Sequence, residues 1–150
     1  MDVYLLRTSL VDEGAAFLSA EGRRMIRALG HKLKMTEEPS FDRFVVSPEP
    51  AAVQTAELFA DRTDYVGVVE TLPLLVGSTP AEVIVPLLSA RGSSIVVVAD
   101  EPILGTIGAF LVGRPTFPPA VPGQVSFVRD RTPEWLLRPG EIGRQVLLVA

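Results

Sequence analysis

The sequence contains no cysteine and only one histidine, His31, among its 150 residues. The absence of cysteine excludes disulfide bonds and thiolate metal sites, and a single histidine excludes a metal centre built from several imidazoles. We therefore expect a protein that carries neither a metal nor a cofactor. The lack of disulfides is also typical of proteins that remain in the cytoplasm.

The sequence also lacks basic stretches and long apolar runs. It has 14 Lys and Arg residues against 18 Asp and Glu residues, a formal net charge of −4, which argues against a nucleic-acid partner. The apolar runs, such as 94–99, are far too short to cross a bilayer. Residues 1–6 include Asp2 and have neither the basic start nor the cleavage site of a signal peptide. These features predict a cytoplasmic protein without membrane insertion.

Hydrophobic residues make up 47% of the chain, enough for one domain over 1–150 with a sizeable core. Segments of consecutive aliphatic residues alternate with segments of helical periodicity. This alternation predicts an α/β three-layer sandwich, a mostly parallel central sheet with helices on both faces. Strands are predicted over 3–7, 41–48, 65–70, 93–100, 124–130 and 143–150, and helices over 19–34, 51–62, 80–88 and 102–112, the first capped by Ser19.

The carboxyl ends of three predicted strands indicate where a site would lie. In parallel α/β sheets, ligands bind beyond these ends. The residues there are Arg7-Thr8-Ser9, Ser47-Pro48-Glu49 and Ala99-Asp100-Glu101. We predict a ligand site assembled from these segments, and its ligand-binding residues are Arg7, Thr8, Ser9, Glu49, Asp100 and Glu101.

Five stretches occur in an order known from one enzyme family: YLLRTS (4–9), LSAEG (18–22), SPEPAAVQTA (47–56), IVVVADEP (95–102) and WLLRP (135–139). Together they resemble the histidine phosphatase superfamily, and most closely its phosphohistidine phosphatase (SixA-like) branch. The resemblance implies a phosphoglycerate mutase-like fold. It also implies, as the family reaction, hydrolysis of phosphohistidine or phosphomonoesters.

The departures from the family pattern fall on the positions that carry its chemistry. The resemblance implies a nucleophilic histidine where this chain has Thr8, and a glycine where it has Ser9. It implies a phosphate-binding arginine at Ala51 and a second histidine at Asp100. Of the family's phosphate pocket, only Arg7 is retained.

These replacements remove what phosphoryl transfer requires, a competent nucleophile and cations facing the phosphoryl oxygens. An alcohol such as Thr8 needs an adjacent base, and a carboxylate at Asp100 repels a phosphoryl group. The arginine missing at Ala51 would have supplied a charged contact worth about 1.5–3 kcal/mol. We therefore predict a pseudophosphatase with no catalytic residue.

The pocket residues also have simpler interpretations. Asp100 precedes a helix opened by Pro102 and is expected to cap it. Arg7 is expected to pair with Asp100 or Glu101 across the former site, because buried charges are usually paired. The lone His31 is expected to lie in solvent on the polar side of its helix.

Three functions remain open. The favoured one is a regulatory or scaffolding protein-interaction module in signalling, with a protein partner and possible homodimerisation. The alternatives are a non-catalytic sensor of a phosphorylated or anionic ligand bound by Arg7, and a hydrolase with rewired residues. A further alternative is a site for a divalent cation bound by carboxylates. The candidate ligands are Asp12, Glu13, Glu49, Asp100 and Glu101.

Overall fold

The computed structural model describes residues 1–150. The strands are β1 (Asp2–Arg7), β2 (Arg43–Val46), β3 (Val69–Thr71), β4 (Ser94–Ala99), β5 (Val125–Arg129), β6 (Thr132–Leu137) and β7 (Gln145–Val146). The helices are α1 (Ala20–Glu37), α2 (Pro50–Arg62), α3 (Ala81–Ser89) and α4 (Ile103–Val112), with a 3₁₀ turn at Pro73–Leu75.

All seven strands form one sheet in the order β3-β2-β4-β1-β5-β6-β7. The first four strands pair in parallel, whereas β5 pairs antiparallel with β1, and β6 and β7 continue antiparallel. The predicted α/β fold is confirmed, and the sheet is mixed because its last three strands are joined antiparallel.

Helices cover both faces of the sheet, as the sequence predicts. On one face, α1 and α2 pack on alternate strand residues such as Leu6 and Val98. On the other face, α3 and α4 pack on the intervening residues, such as Leu5 and Val97. The central β4 is buried on both sides, which explains its unbroken run of β-branched residues.

The largest differences from the predicted elements lie at the edges of the sheet. The third strand begins at Val69 rather than near residue 65, because Tyr65 turns its hydroxyl back onto the Val68 carbonyl oxygen at 2.6 Å. The last strand comprises only Gln145–Val146 and is shorter than the predicted strand over 143–150. The segment 134–139 belongs mostly to β6, which follows β5 through Asp130 and Arg131, both at positive φ, as a tight hairpin requires.

A partly exposed ion cluster at the edge of the sheet holds the short strand β3 in place. The Glu70 carboxylate accepts hydrogen bonds from Arg91 Nε at 2.8 Å and Nη2 at 2.7 Å, and from Arg43 Nη1 at 3.1 Å. These bonds, above all those from Arg91, lower the pKa of Glu70 to about 2. The carboxylate thus links β3 to β2 and to the residues that follow α3.

The loop that follows β1 packs closely against the first turn of α1. Ser19 caps α1 by accepting a hydrogen bond from the Gly22 amide at 3.0 Å, as predicted. A Cβ on Gly22 would lie 2.2 Å from the carbonyl oxygen of Leu10. Only glycine allows the loop backbone to approach the helix this closely.

We expect Glu70→Gln to lower the free energy of unfolding at pH 7 by about 1–2 kcal/mol. The side-chain pKa of a glutamate in an unfolded chain is about 4.3. The lowered folded-state pKa therefore contributes stability that is full above that value and is lost as pH falls towards 2. Urea unfolding between pH 7 and about pH 3 should show the wild-type advantage shrinking below about pH 5. Glu57→Gln, at an exposed position, is the control; an advantage independent of pH would contradict the role of Glu70.

We expect Gly22→Ala to destabilise the protein by about 1–3 kcal/mol, because the new methyl group must push the Leu10 backbone away. In an unobstructed helix, the same change stabilises by about 0.5–1 kcal/mol. The control is Gly143→Ala, in the loop before β7, where the added Cβ would meet nothing within 4 Å. Urea unfolding of both variants checks this, and a more stable Gly22→Ala protein would show that the loop contact is wrong.

Candidate functional site

A cavity of about 440 Å³ lies at the carboxyl ends of β1 and β4, beside the start of α2. It contains five of the six predicted ligand-binding residues, namely Arg7, Thr8, Ser9, Glu49 and Asp100. The remaining lining residues are Leu10, Val11, Ala15, Ala16, Pro50, Ala51 and Pro122.

Strand register brings these residues together. Arg7 of β1 pairs with Ala99 of β4, and the Thr8 amide donates to the Ala99 carbonyl oxygen at 3.1 Å. Thr8 therefore lies beside the chain that leads into Asp100. On the other side of β4, the Ser47 amide donates to Val98 O at 2.8 Å, so that the following turn delivers Glu49 to the same edge.

Arg7 makes no ion pair, and the predicted pairing with Asp100 or Glu101 is wrong. Its Nη1 instead donates to the Ala120 carbonyl oxygen at 2.6 Å, in the proline-rich loop before β5. Its Nε is buried and has no hydrogen-bond partner. The guanidinium is thus held at one end and retains an unused donor.

Glu101 does not line this cavity. Its Oε1 accepts from the Gly105 amide at 2.8 Å, and its Oε2 accepts from the Ala120 amide at 2.7 Å. It borders a separate hollow of about 290 Å³, which is lined by α4 and by the proline-rich loop before β5. Both carboxylate oxygens are therefore occupied by backbone donors, and the geometry does not support the predicted ligand contact.

Asp100 is not the helix cap that the sequence predicts. Helix α4 begins at Ile103, so Asp100 lies too far before the first turn, and its neighbour Glu101 takes the Gly105 amide instead. The Asp100 carboxylate makes no hydrogen bond or ion pair within the chain, and Asp100 lines the cavity.

Thr8 and Ser9 differ in what their hydroxyls do. Thr8 is 5% exposed, and its Oγ1 is buried without a hydrogen-bond partner. Ser9 is 4% exposed; its Oγ donates to Gly22 O at 2.9 Å and its amide donates to Thr55 Oγ1 at 3.2 Å. Ser9 therefore holds the loop onto α1 and α2, while the Thr8 hydroxyl is left free.

Two polar side chains of α2 support the site and are missed by the sequence reasoning. Thr55 Oγ1 accepts from Ser9 and donates to Ala51 O at 2.8 Å. Gln54 Oε1 accepts from the Leu18 amide at 2.8 Å. The sequence feature that could have identified them is the adjacent Gln-Thr pair on a helix whose inward side is otherwise apolar.

The cavity carries more negative than positive side-chain charge. Arg7 is the only basic residue lining it, and two acidic residues, the exposed Glu49 and the partly buried Asp100, line it without forming an ion pair. The first turn of α2 adds the partial positive charge of a helix N-terminus. The structure groups no three metal-ligating side chains at any point of the chain.

The single histidine lies outside the cavity. His31 is exposed on α1, as expected from its place on the polar side of that helix. The cavity therefore contains no imidazole.

None of the helices combines the length and apolar character needed to cross a membrane.

Comparison with known proteins identifies the fold. No protein-family profile and no curated protein sequence matches this chain. The structure is similar to the protein histidine phosphatase SixA complexed with tungstate, with 24% identity, a TM-score of 0.81 and coverage of 93% of this chain and 97% of that one. A mycobacterial glucosyl-3-phosphoglycerate phosphatase has 12% identity, a TM-score of 0.64 and coverage of 84% and 91%.

Phosphoglycerate mutase from Plasmodium falciparum is also similar, with 14% identity, a TM-score of 0.64 and coverage of 99% of this chain and 93% of that one. Likeness at these identities concerns the backbone rather than the chemistry of any site. The chain therefore has the fold of the SixA phosphatase and of phosphoglycerate mutases.

Proposed function

We propose that this chain is a non-catalytic domain of the histidine phosphatase fold, which binds a ligand or partner as a regulatory element and does not transfer phosphate. The observation that carries the proposal is the state of Thr8 at the end of β1. Its hydroxyl is buried and has no hydrogen-bond partner, so no base is in contact with it. An alcohol without an adjacent base is a poor nucleophile near neutral pH.

The surroundings of Thr8 support the same conclusion. A phosphoryl group needs cations or backbone N–H groups against its charged oxygens. The amides of Thr8 and Ser9 already donate to Ala99 O and Thr55 Oγ1. Ala51 offers no charge, and Asp100 adds a negative one.

Among the non-catalytic roles, one that uses the cavity is favoured over pure scaffolding. An ion pair between Arg7 and Asp100 would have closed the former site, and no such pair forms. The unused donor at Arg7 Nε favours a sensor of a ligand that offers a hydrogen-bond acceptor. Protein interaction in signalling remains a second proposal, since a partner's side chain could occupy the same cavity.

We expect the wild-type protein to hydrolyse neither a phosphohistidine peptide nor an aryl phosphate above the uncatalysed rate. The combined variant Thr8→His, Ser9→Gly, Ala51→Arg and Asp100→His should acquire phosphate binding and measurable turnover, since it supplies a nucleophile and two cations. Phosphate release and calorimetric titration with inorganic phosphate measure both effects.

A second variant protects this test against misfolding, because Ser9 holds the loop onto α1. The triple variant Thr8→His, Ala51→Arg and Asp100→His keeps that serine and its bond to Gly22. Wild-type turnover that Arg7→Ala abolishes would overturn the proposal. A folded triple variant indifferent to phosphate would show that the cavity is not the site of the fold's phosphate chemistry.

A further inference from the structure

We propose that the cavity binds a small zwitterion, with an acceptor group such as a carboxylate against Arg7 and Thr8 and an ammonium group facing Glu49 and Asp100. This inference rests on the proposed non-catalytic function and names the chemical class of its ligand. It follows from two buried, unpartnered donors on residues that line the cavity, and from the carboxylates of Asp100 and the exposed Glu49, which line it without forming an ion pair.

The acceptor end of the ligand is indicated by Arg7 and Thr8. Arg7 and Thr8 both line the cavity, and Arg7 Nε and Thr8 Oγ1 are buried without a hydrogen-bond partner in the chain. Leaving a buried donor unsatisfied is unfavourable, and a carboxylate has enough lone pairs to accept from both groups. Because Arg7 Nη1 is held by Ala120 O, the guanidinium is fixed in place before a ligand arrives.

The ammonium end is indicated by Glu49 and Asp100. The chain forms nine ion pairs, and neither carboxylate takes part in any of them. Both residues line the cavity that contains Arg7; Asp100 is partly buried, whereas Glu49 is exposed at its mouth. An ammonium group there would interact with two carboxylates, while Arg7 and Thr8 would bind the ligand's carboxylate.

The same charges disfavour phosphate. The cavity is lined by two carboxylates and one guanidinium, so that even with the partial charge of the α2 N-terminus a dianion meets an excess of negative charge. The amides of Thr8 and Ser9 are committed to acceptors within the protein. A zwitterion has no net charge and can satisfy both sets of groups.

The walls and the size of the cavity fit a compact ligand with an apolar portion. Leu10, Val11, Ala15 and Ala16 form an aliphatic rim on one side. Leu10 and Val11 are 36% and 44% exposed, so part of this rim is available for contact. A volume of about 440 Å³ lies within the range of small-molecule sites, about 300–1,000 Å³.

A matched set of six-carbon probes tests this ligand class by calorimetry. Norleucine and 6-aminohexanoate carry both charges at different separations, hexanoate lacks the ammonium group, and hexylamine lacks the carboxylate. We expect at least one zwitterion to bind about fivefold tighter than both singly charged probes, and tighter than inorganic phosphate. The zwitterion preferred reports how far apart the two charges must be.

Two conservative variants give effects that a general loss of structure would not. Asp100→Asn should weaken zwitterion binding about fivefold and strengthen phosphate binding by a similar factor, because it removes one negative charge. Thr8→Val should weaken zwitterion binding without lowering the melting temperature, since the hydroxyl has no partner within the chain. Glu57→Gln, exposed on α2, should change neither affinity.

The outcomes separate this inference from the proposed function. Phosphate binding tighter than both zwitterions, or no probe binding at millimolar concentration, would overturn the ligand class and leave the non-catalytic function standing. Asp100→Asn shifting both affinities in the same direction would also overturn it. Turnover of phosphohistidine by the wild-type protein would overturn the proposed function, whatever the zwitterions do.

Discussion

The site depends on the parallel pairing of β1 with β4 at the centre of the sheet. Six consecutive residue pairs lock the two strands from Asp2–Ser94 to Arg7–Ala99. Because both strands end at the same level, Thr8 and Asp100 leave the sheet side by side, and β2 adds Glu49 from the neighbouring position. A slip of one residue would turn every side chain to the opposite face, so burial on both faces enforces this register.

Several hydrogen bonds hold the loop that follows β1 in place next to this strand pair. Ser9 bonds to Gly22 and Thr55, Gln54 takes the Leu18 amide, and Gly22 lets Leu10 approach. In contrast, Arg7 Nε and the Thr8 hydroxyl remain without partners inside the same ordered region. Buried polar groups without a partner are few in folded proteins, and each one calls for a physical explanation, such as a bound water, ion or ligand.

Charge rather than shape distinguishes this cavity from a phosphate pocket. The backbone resembles that of the SixA phosphatase at a TM-score of 0.81, while positions 8, 51 and 100 carry no cation. A fold determines the positions of the side chains, and the chemistry of those side chains determines which charged groups can bind between them. A similar backbone therefore does not by itself determine which class of molecule a cavity binds.

The sequence by itself determined the α/β fold, the burial of the core strands, the Ser19 cap and the strand ends that form the cavity. These follow from local periodicity and from the rule that parallel strands end together. Only the tertiary structure decided that Arg7 bonds to Ala120, that Glu101 turns away to backbone amides, and that Asp100 faces the cavity unpaired. It also decided the antiparallel half of the sheet and the short β3 and β7. The Arg7–Ala120 and Glu101–Ala120 bonds join residues that are 113 and 19 positions apart in the chain, and no local sequence pattern records such partners.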